Sequence, residues 1–179
     1  MVKDIQEVLF NEEVIEKEVQ KIADKINNDY KDKELLLVGV LKGSVMFTAD
    51  LMKKITIPCS VDFIAVSSYG NSSETSGVVR ILKDLDHEAS GKDIIIVEDI
   101  VDSGITLDYL VNYLKGRKAN SVEIAAFLTK PSRRKVDIDV KYLGLTAPDE
   151  FLVGYGLDYA EKYRNLPFIG ILKREVYEK

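Results

Sequence analysis

The chain has 179 residues, 46% hydrophobic and 31% charged, with a net charge of −5 and one cysteine. That length suits one domain with a sizeable core, and the acidic balance argues against a general nucleic-acid binder, which would carry a basic stripe. A single cysteine excludes an internal disulfide and any cysteine-rich metal site.

No apolar run approaches the roughly 18 residues that span a bilayer, and Met1–Gln6 lacks the basic-then-apolar pattern of a signal peptide. A cytoplasmic protein with no membrane partner is expected. Along the chain, Val14, Ile15, Val19, Ile22 and Ile26 form one apolar face of a helix predicted from Glu12 to Asn28. Leu35 to Val40 reads as a buried strand that ends at Lys42-Gly43-Ser44. Met46, Phe47 and Leu51 open a second helix, which Pro58 ends or follows. A lysine beside a glycine at a helix start can bind an anion through its side chain and exposed backbone N–H groups. The same residues also make a plain strand-to-helix turn.

Cys59, between Pro58 and Ser60, reads as a buried structural thiol. Val61 to Val66 is a strand, and Val78 to Leu82 can return beside it as an antiparallel hairpin. The connecting Ser67–Gly77 is too polar for a core. It is either a solvated hairpin tip or a lid over a site from which water must be excluded. His87, the only histidine, lies in the polar run Asp84–Glu88 and is placed on a surface turn.

Ile94-Ile95-Ile96-Val97 then forms a strand buried on both faces. Glu98, Asp99 and Asp102 follow within five positions, and then Ser103-Gly104-Ile105-Thr106. Leu107, Leu110, Val111 and Leu114 continue at helical spacing. A helix beginning near Ser103 to Thr106 turns unpaired N–H groups into the loop, making an anion cradle. Alternatively, Asp99, Asp102 and Ser103 are ordinary helix caps. Carboxylates beside a phosphate cradle conflict unless the ligand also carries hydroxyls or a divalent cation. A sugar phosphate with magnesium resolves the conflict, its hydroxyls donating to Glu98 and Asp99.

Val122 to Leu128 is the next strand, followed directly by Thr129-Lys130-Pro131, so Lys130 is expected to point into the crevice at the strand ends. Arg133, Arg134 and Lys135 read as surface charge. The alternation of Val136-Asp137-Ile138-Asp139-Val140 predicts a half-exposed strand. Phe151–Tyr155 and Phe168–Leu172 are predicted as late short strands. Phe151 is either a core aromatic or a stacking partner for a flat heterocycle. Strands alternating with helices imply a right-handed, mostly parallel α/β sheet with its ligands at the C-terminal strand ends.

The run from Glu98 to Thr106 resembles the phosphoribosyl-pyrophosphate loop of the type I phosphoribosyltransferases. Together with Leu41–Ser44, Ser67–Gly70, Leu128–Pro131 and Phe151–Leu166, it makes nearly the whole chain similar to the hypoxanthine-guanine phosphoribosyltransferases. Val153-Gly154-Tyr155-Gly156-Leu157-Asp158-Tyr159 is the most characteristic match. Ser44, in place of a second glycine, and Ile105, in place of a lysine, are mild departures from some relatives.

The resemblance implies a type I fold in one domain over residues 1–179, a mostly parallel central sheet flanked by helices, with a small hood made of chain-terminal segments. It implies phosphoribosyl transfer from phosphoribosyl pyrophosphate to hypoxanthine and guanine, giving IMP and GMP plus pyrophosphate, in a homodimer or homotetramer that uses Mg2+. Glu98, Asp99, Asp102, Ser103, Gly104, Ile105 and Thr106 would bind the phosphoribosyl group, with Asp102 as general base. Lys42, Gly43 and Arg164 would contact pyrophosphate. Lys130, Phe151 and Leu152 would bind the purine. Ser68 and Tyr69 would belong to the lid, and Glu98, Asp99 and Asp158 would face magnesium. A xanthine or pyrimidine transferase and a non-enzymatic regulator are the rivals. Lys130 and Phe151 disfavour a pyrimidine. The retained Asp102 and the absence of a basic face disfavour a regulator.

Overall fold

Strands of two kinds sort into two sheets in the computed structural model, which describes residues 1–68 and 79–178, Ser68 by its backbone alone. The expected lid, with Tyr69 and the Ser68 side chain, therefore lies outside the described residues. So does Val78, where the second hairpin strand was expected to begin. The larger sheet contains β2 (Leu35–Leu41), β3 (Cys59–Ser68), β4 (Val79–Lys83), β5 (Asp93–Val101), β6 (Ser121–Thr129) and β7 (Tyr142–Thr146), in the order β4-β3-β2-β5-β6-β7. All its pairs are parallel except the β3–β4 hairpin, which is antiparallel as its sequence suggests.

The continuous apolar runs are explained by coverage on both faces. From β2 and β5, Leu35, Leu37, Ile95 and Val97 face a core shared with α1 (Glu12–Asp29) and α2 (Val45–Lys54). The intervening Leu36, Val38, Ile94 and Ile96 face a second core under α3 (Ile105–Gly116). Successive side chains of a strand point to opposite sides, so a strand between two helical layers has no polar face. Helix α1 starts where the sequence predicts, because the Asn11 side chain accepts a hydrogen bond from the Val14 N–H at 2.9 Å and satisfies a first-turn donor.

A smaller antiparallel sheet joins the two ends of the chain: β1 (Ile5–Phe10), β9 (Ile169–Leu172) and β8 (Leu152–Val153), in the order β1-β9-β8. No sequence reading found β1. Its pairing with β9 shifts register twice, which destroys the period-two alternation by which a strand is recognised. A short helix α4 (Arg174–Tyr177) closes the described chain.

Three expectations need correction. Val136–Val140 is not a strand. Its alternation survives as exposure, with Ile138 and Val140 packed on the α3-side core and both aspartates exposed, but no strand among the described residues pairs with it. The segment is instead tied to the loop before α3, where Ser103 O accepts the N–H groups of Lys135 at 2.9 Å and Val136 at 3.2 Å. Cys59 is half-buried rather than buried, at the start of β3, where burial still raises the thiol pKa. Strand β8 covers only Leu152–Val153, because Gly154, Tyr155 and Gly156 all take positive φ and turn the chain away.

Asp62 of β3 fastens the hairpin to the lead-in of β5. Its buried carboxylate accepts the N–H groups of Phe63, Asp86 and His87 and contacts His87 Nδ1 at 2.8 Å, with Lys83 Nζ at 3.7 Å. Burial raises its pKa, but the hydrogen bonds from His87, Phe63 and Asp86 outweigh burial, and the net shift is downward. A lowered native pKa contributes stability that is present above the ordinary value of 3.8 and is lost as pH falls through the native one. Asp62→Ala is expected to cost about 2 kcal/mol in urea denaturation at pH 7, since several part-buried donors lose one buried acceptor. The Asp62→Asn deficit is expected to shrink below pH 4.

Candidate active site

The C-terminal ends of β2, β5 and β6 open on one side of the larger sheet, and the segment from Phe151 to Arg164 lies across them. Strand β5 runs further than its apolar core suggests, carrying Glu98 and Asp99 inside the sheet before the chain turns at Asp102-Ser103-Gly104. Gly104 has φ 85, a left-handed conformation that suits glycine, and it precedes α3 directly. The first-turn N–H groups of a helix have no partners within it, so the loop and α3 present donors to an anion. A cavity of about 150 Å3 lies here, lined by Glu98, Asp102, Ser103, Gly104 and Thr106 among others. Ile105 belongs to the same turn but does not line it.

A second cavity, of about 530 Å3, adjoins the first. Lys130, Phe151, Leu152, Asp158 and Asp99 line it, and Asp102 lines both cavities. Lys130 is only 7% exposed, and its Nζ donates to Glu150 O at 2.7 Å. Burial, then the charge of Arg133, lowers its pKa. Leu152 is buried in β8, while the Phe151 ring stays 36% exposed.

Glu98 and Asp99 are neighbours in a confined space. Glu98 is 9% exposed, and its carboxyl is pushed well above the ordinary value of 4.5 by burial first and then by the charge of Asp99. Asp99 is also raised by burial, against the pull of its hydrogen bonds and of Arg164. Two adjacent acids that resist ionisation are suited to a cation or to donating hydroxyls. Among the described residues no group of three or more His, Cys, Asp or Glu is placed to hold a metal ion. The chemistry of the pair itself would suit a divalent cation, a hard ion that takes oxygen ligands.

The Lys42-Gly43 turn meets this acidic pair from β2. A side chain at Gly43 would collide with the Asp99 carboxylate, and one at Gly156 would collide with Gly43 O, so two glycines allow three segments to close together. Ion pairs extend the contact: Lys42 Nζ reaches Glu161 at 2.8 Å, and Arg164 reaches Asp158 at 2.9 Å while donating to Gly156 O at 2.7 Å. Lys42 itself lines neither cavity. Its ammonium lies with Glu161 on the exposed rim.

Arg133 is exposed, as its sequence suggests, yet it also belongs to the site. It lines the larger cavity, ion-paired through Nε with Asp149, with its Nη1 3.8 Å from Asp102. The signal was its spacing from Lys130. Pro131–Arg133 is a 3-10 turn, which brings positions i and i+3 to one side. Arg134 packs its Cδ near Gly104 and donates to Thr129 Oγ1 at 2.7 Å. Tyr177, from the far end of the chain, also lines the larger cavity, and no local pattern announces it.

The family model for the phosphoribosyl transferase domain matches residues 6–160. The chain is 53% identical over 178 residues to the hypoxanthine-guanine phosphoribosyltransferase of Bacillus subtilis, covering 99% of each. It is 54% identical over 179 residues to that of Staphylococcus epidermidis, covering 100% of each. A crystal structure of the hypoxanthine phosphoribosyltransferase of Staphylococcus aureus superposes with a TM-score of 0.97 at 50% identity, covering 100% of this chain and 97% of that one. With its two cavities meeting at one carboxylate between β5 and α3, the chain belongs to the phosphoribosyltransferase family, among its hypoxanthine-guanine members.

Proposed function

We propose that this protein salvages preformed purine bases, transferring the 5-phosphoribosyl group from phosphoribosyl pyrophosphate to hypoxanthine and guanine and releasing pyrophosphate. The observation that carries this reading is Asp102, which lines the small cavity at the start of α3 on one side and the larger cavity of Lys130 and Phe151 on the other. A carboxylate shared in this way reaches both the sugar phosphate and the heterocycle that attacks it.

The loop Asp102–Thr106 holds the 5′-phosphate through backbone N–H groups and the Ser103 and Thr106 hydroxyls. Glu98 and Asp99 accept the ribose hydroxyls. Lys42, Gly43 and Arg164 receive the pyrophosphate once Lys42 and Arg164 exchange their present carboxylate partners for it. Lys130 donates to the 6-oxo group, Leu152 contributes backbone contacts to the purine edge, and Phe151 stacks on the ring. Asp102 takes the proton that leaves the purine as its nitrogen bonds to the anomeric carbon. Glu98 and Asp99, with Asp158 for a second ion, would hold magnesium, which would supply charge neutralisation for the departing pyrophosphate.

The family resemblance further supports one domain whose smaller sheet is the hood, a homodimer or homotetramer, and a cytoplasmic location. No helix among the described residues is long and apolar enough to cross a membrane.

Incubating pure protein with phosphoribosyl pyrophosphate, magnesium and each base in turn, then separating the products, tests the reading. IMP and GMP are expected, and no nucleotide from any 6-oxopurine would overturn it. Lys130→Ala is expected to lower kcat/KM for hypoxanthine by ~10–150-fold, the value of a hydrogen bond to a charged donor. The wild type is expected to use adenine poorly, because an amino group then meets the ammonium. Efficient use of adenine would overturn the assignment of Lys130.

A further inference from the structure

The stacking residue of the base cavity is itself stacked. Phe151 stands at the edge of β8 with a third of its surface exposed, so its own strand does little to fix its ring plane. Two rings from other segments do so. Tyr177 lies on it at 4.8 Å between centroids with the planes 29° apart, and Tyr159 meets it edge-on at 5.5 Å and 89°. Tyr159 and Tyr177 touch each other at 6.4 Å, closing a triangle of three rings.

Tyr177 is anchored from behind. With Val176 it packs on the cluster of Val153, Tyr163, Leu166 and Leu172, and the backbone leading to α4 is tied down where the Lys173 N–H donates to Asp4 O at 3.0 Å. The same residue lines the base cavity, as do Lys130 and Asp102. No hydrogen bond among the described residues engages its hydroxyl, so its contribution is that of the ring.

We propose that Tyr177 is a positioning residue for the purine: by stacking on one face of Phe151 it presets the other face for the heterocycle. A phenylalanine held by one stacked and one edge-on neighbour loses little further freedom when a base arrives, and that freedom is what stacking otherwise costs. The role concerns base binding and not bond-making, and it rests on the assignment of the larger cavity to the base.

The test compares wild type, Tyr177→Leu and Tyr177→Phe. Tyr177→Leu is expected to raise KM for hypoxanthine and the Kd for GMP, measured without turnover, each by ~3–10-fold. The kcat at saturating base, the KM for phosphoribosyl pyrophosphate and the Kd for ribose 5-phosphate are expected to stay unchanged. Tyr177→Phe is expected to restore wild-type values. The proposal fails if Tyr177→Leu leaves KM for hypoxanthine unchanged, or if Tyr177→Phe does not rescue it. An equal loss of ribose 5-phosphate binding also sinks it, since that marks a general loosening. A lowered KM for hypoxanthine would instead identify the ring as a competitor for the base. An inactive wild type would defeat the functional assignment as well, whereas an active wild type with an indifferent Tyr177→Leu defeats the role of Tyr177 alone.

Discussion

Asp102→Asn is expected to lower kcat by ~10²–10⁴-fold, the usual loss when a general base is removed. The amide keeps the size and hydrogen-bonding reach of the carboxylate but cannot take the proton released by the purine. The substitution is structurally mild: the Asp102 side chain is half exposed, and its one ion-pair partner among the described residues, Arg133, is 3.8 Å away and already bound to Asp149. Exposed ion pairs of this kind contribute little to stability. The melting temperature and the KM for phosphoribosyl pyrophosphate are therefore expected to stay close to wild type. Single-turnover measurement with hypoxanthine isolates the chemical step, and an unchanged single-turnover rate would remove Asp102 from the role of base.

Removing divalent cations is expected to abolish turnover, and the acidic pair gives that expectation a second readout. Glu98 is held above its ordinary 4.5 by burial and by Asp99, so folding favours its protonated form. Stability from such a group is present below its unfolded value and is lost as pH rises through the native one. At pH 8 without metal, Glu98→Gln is thus expected to melt at a higher temperature than wild type, with the advantage vanishing below about pH 4.5. The same variant is expected to lose activity and the magnesium dependence of phosphoribosyl pyrophosphate binding. An acidic pair that destabilises the free protein but is satisfied by the ligand is a familiar cost of function. Full activity in excess chelator, or a Glu98→Gln variant less stable than wild type at pH 8, would contradict the cation-binding role.

Much of the site could be read locally because it is local. The strand into Val97, the acidic pair, the loop at Asp102–Gly104 and the helix from Ile105 occupy consecutive residues, and backbone geometry alone turns that order into an anion cradle. Lys130 was also legible, since it follows directly on an apolar strand whose end had to open on the same crevice.

Most of what failed needed a neighbour distant in sequence. The alternation of Val136–Val140 correctly recorded which side chains are covered, yet it could not say whether another strand lay alongside, and among the described residues none does. Ile5–Phe10 carries no alternation, yet it is a strand because residues 169–172 pair with it. Arg133 is exposed charge as expected, but only the fold shows that it also lines the larger cavity beside Asp102 and Asp149.

The sequence by itself determined the alternation of helices and strands from α1 to β6, the two-faced burial of β2 and β5, and the strand-loop-helix that cradles an anion. Those features depend on side-chain period and on residues within a few positions of one another. Only the tertiary structure decided that Gly43 packs on Asp99, that Gly156 packs on Gly43, and that Tyr177 backs Phe151. Periodicity tells which face of an element is buried, but the partner that buries it is chosen by the packing of the whole chain.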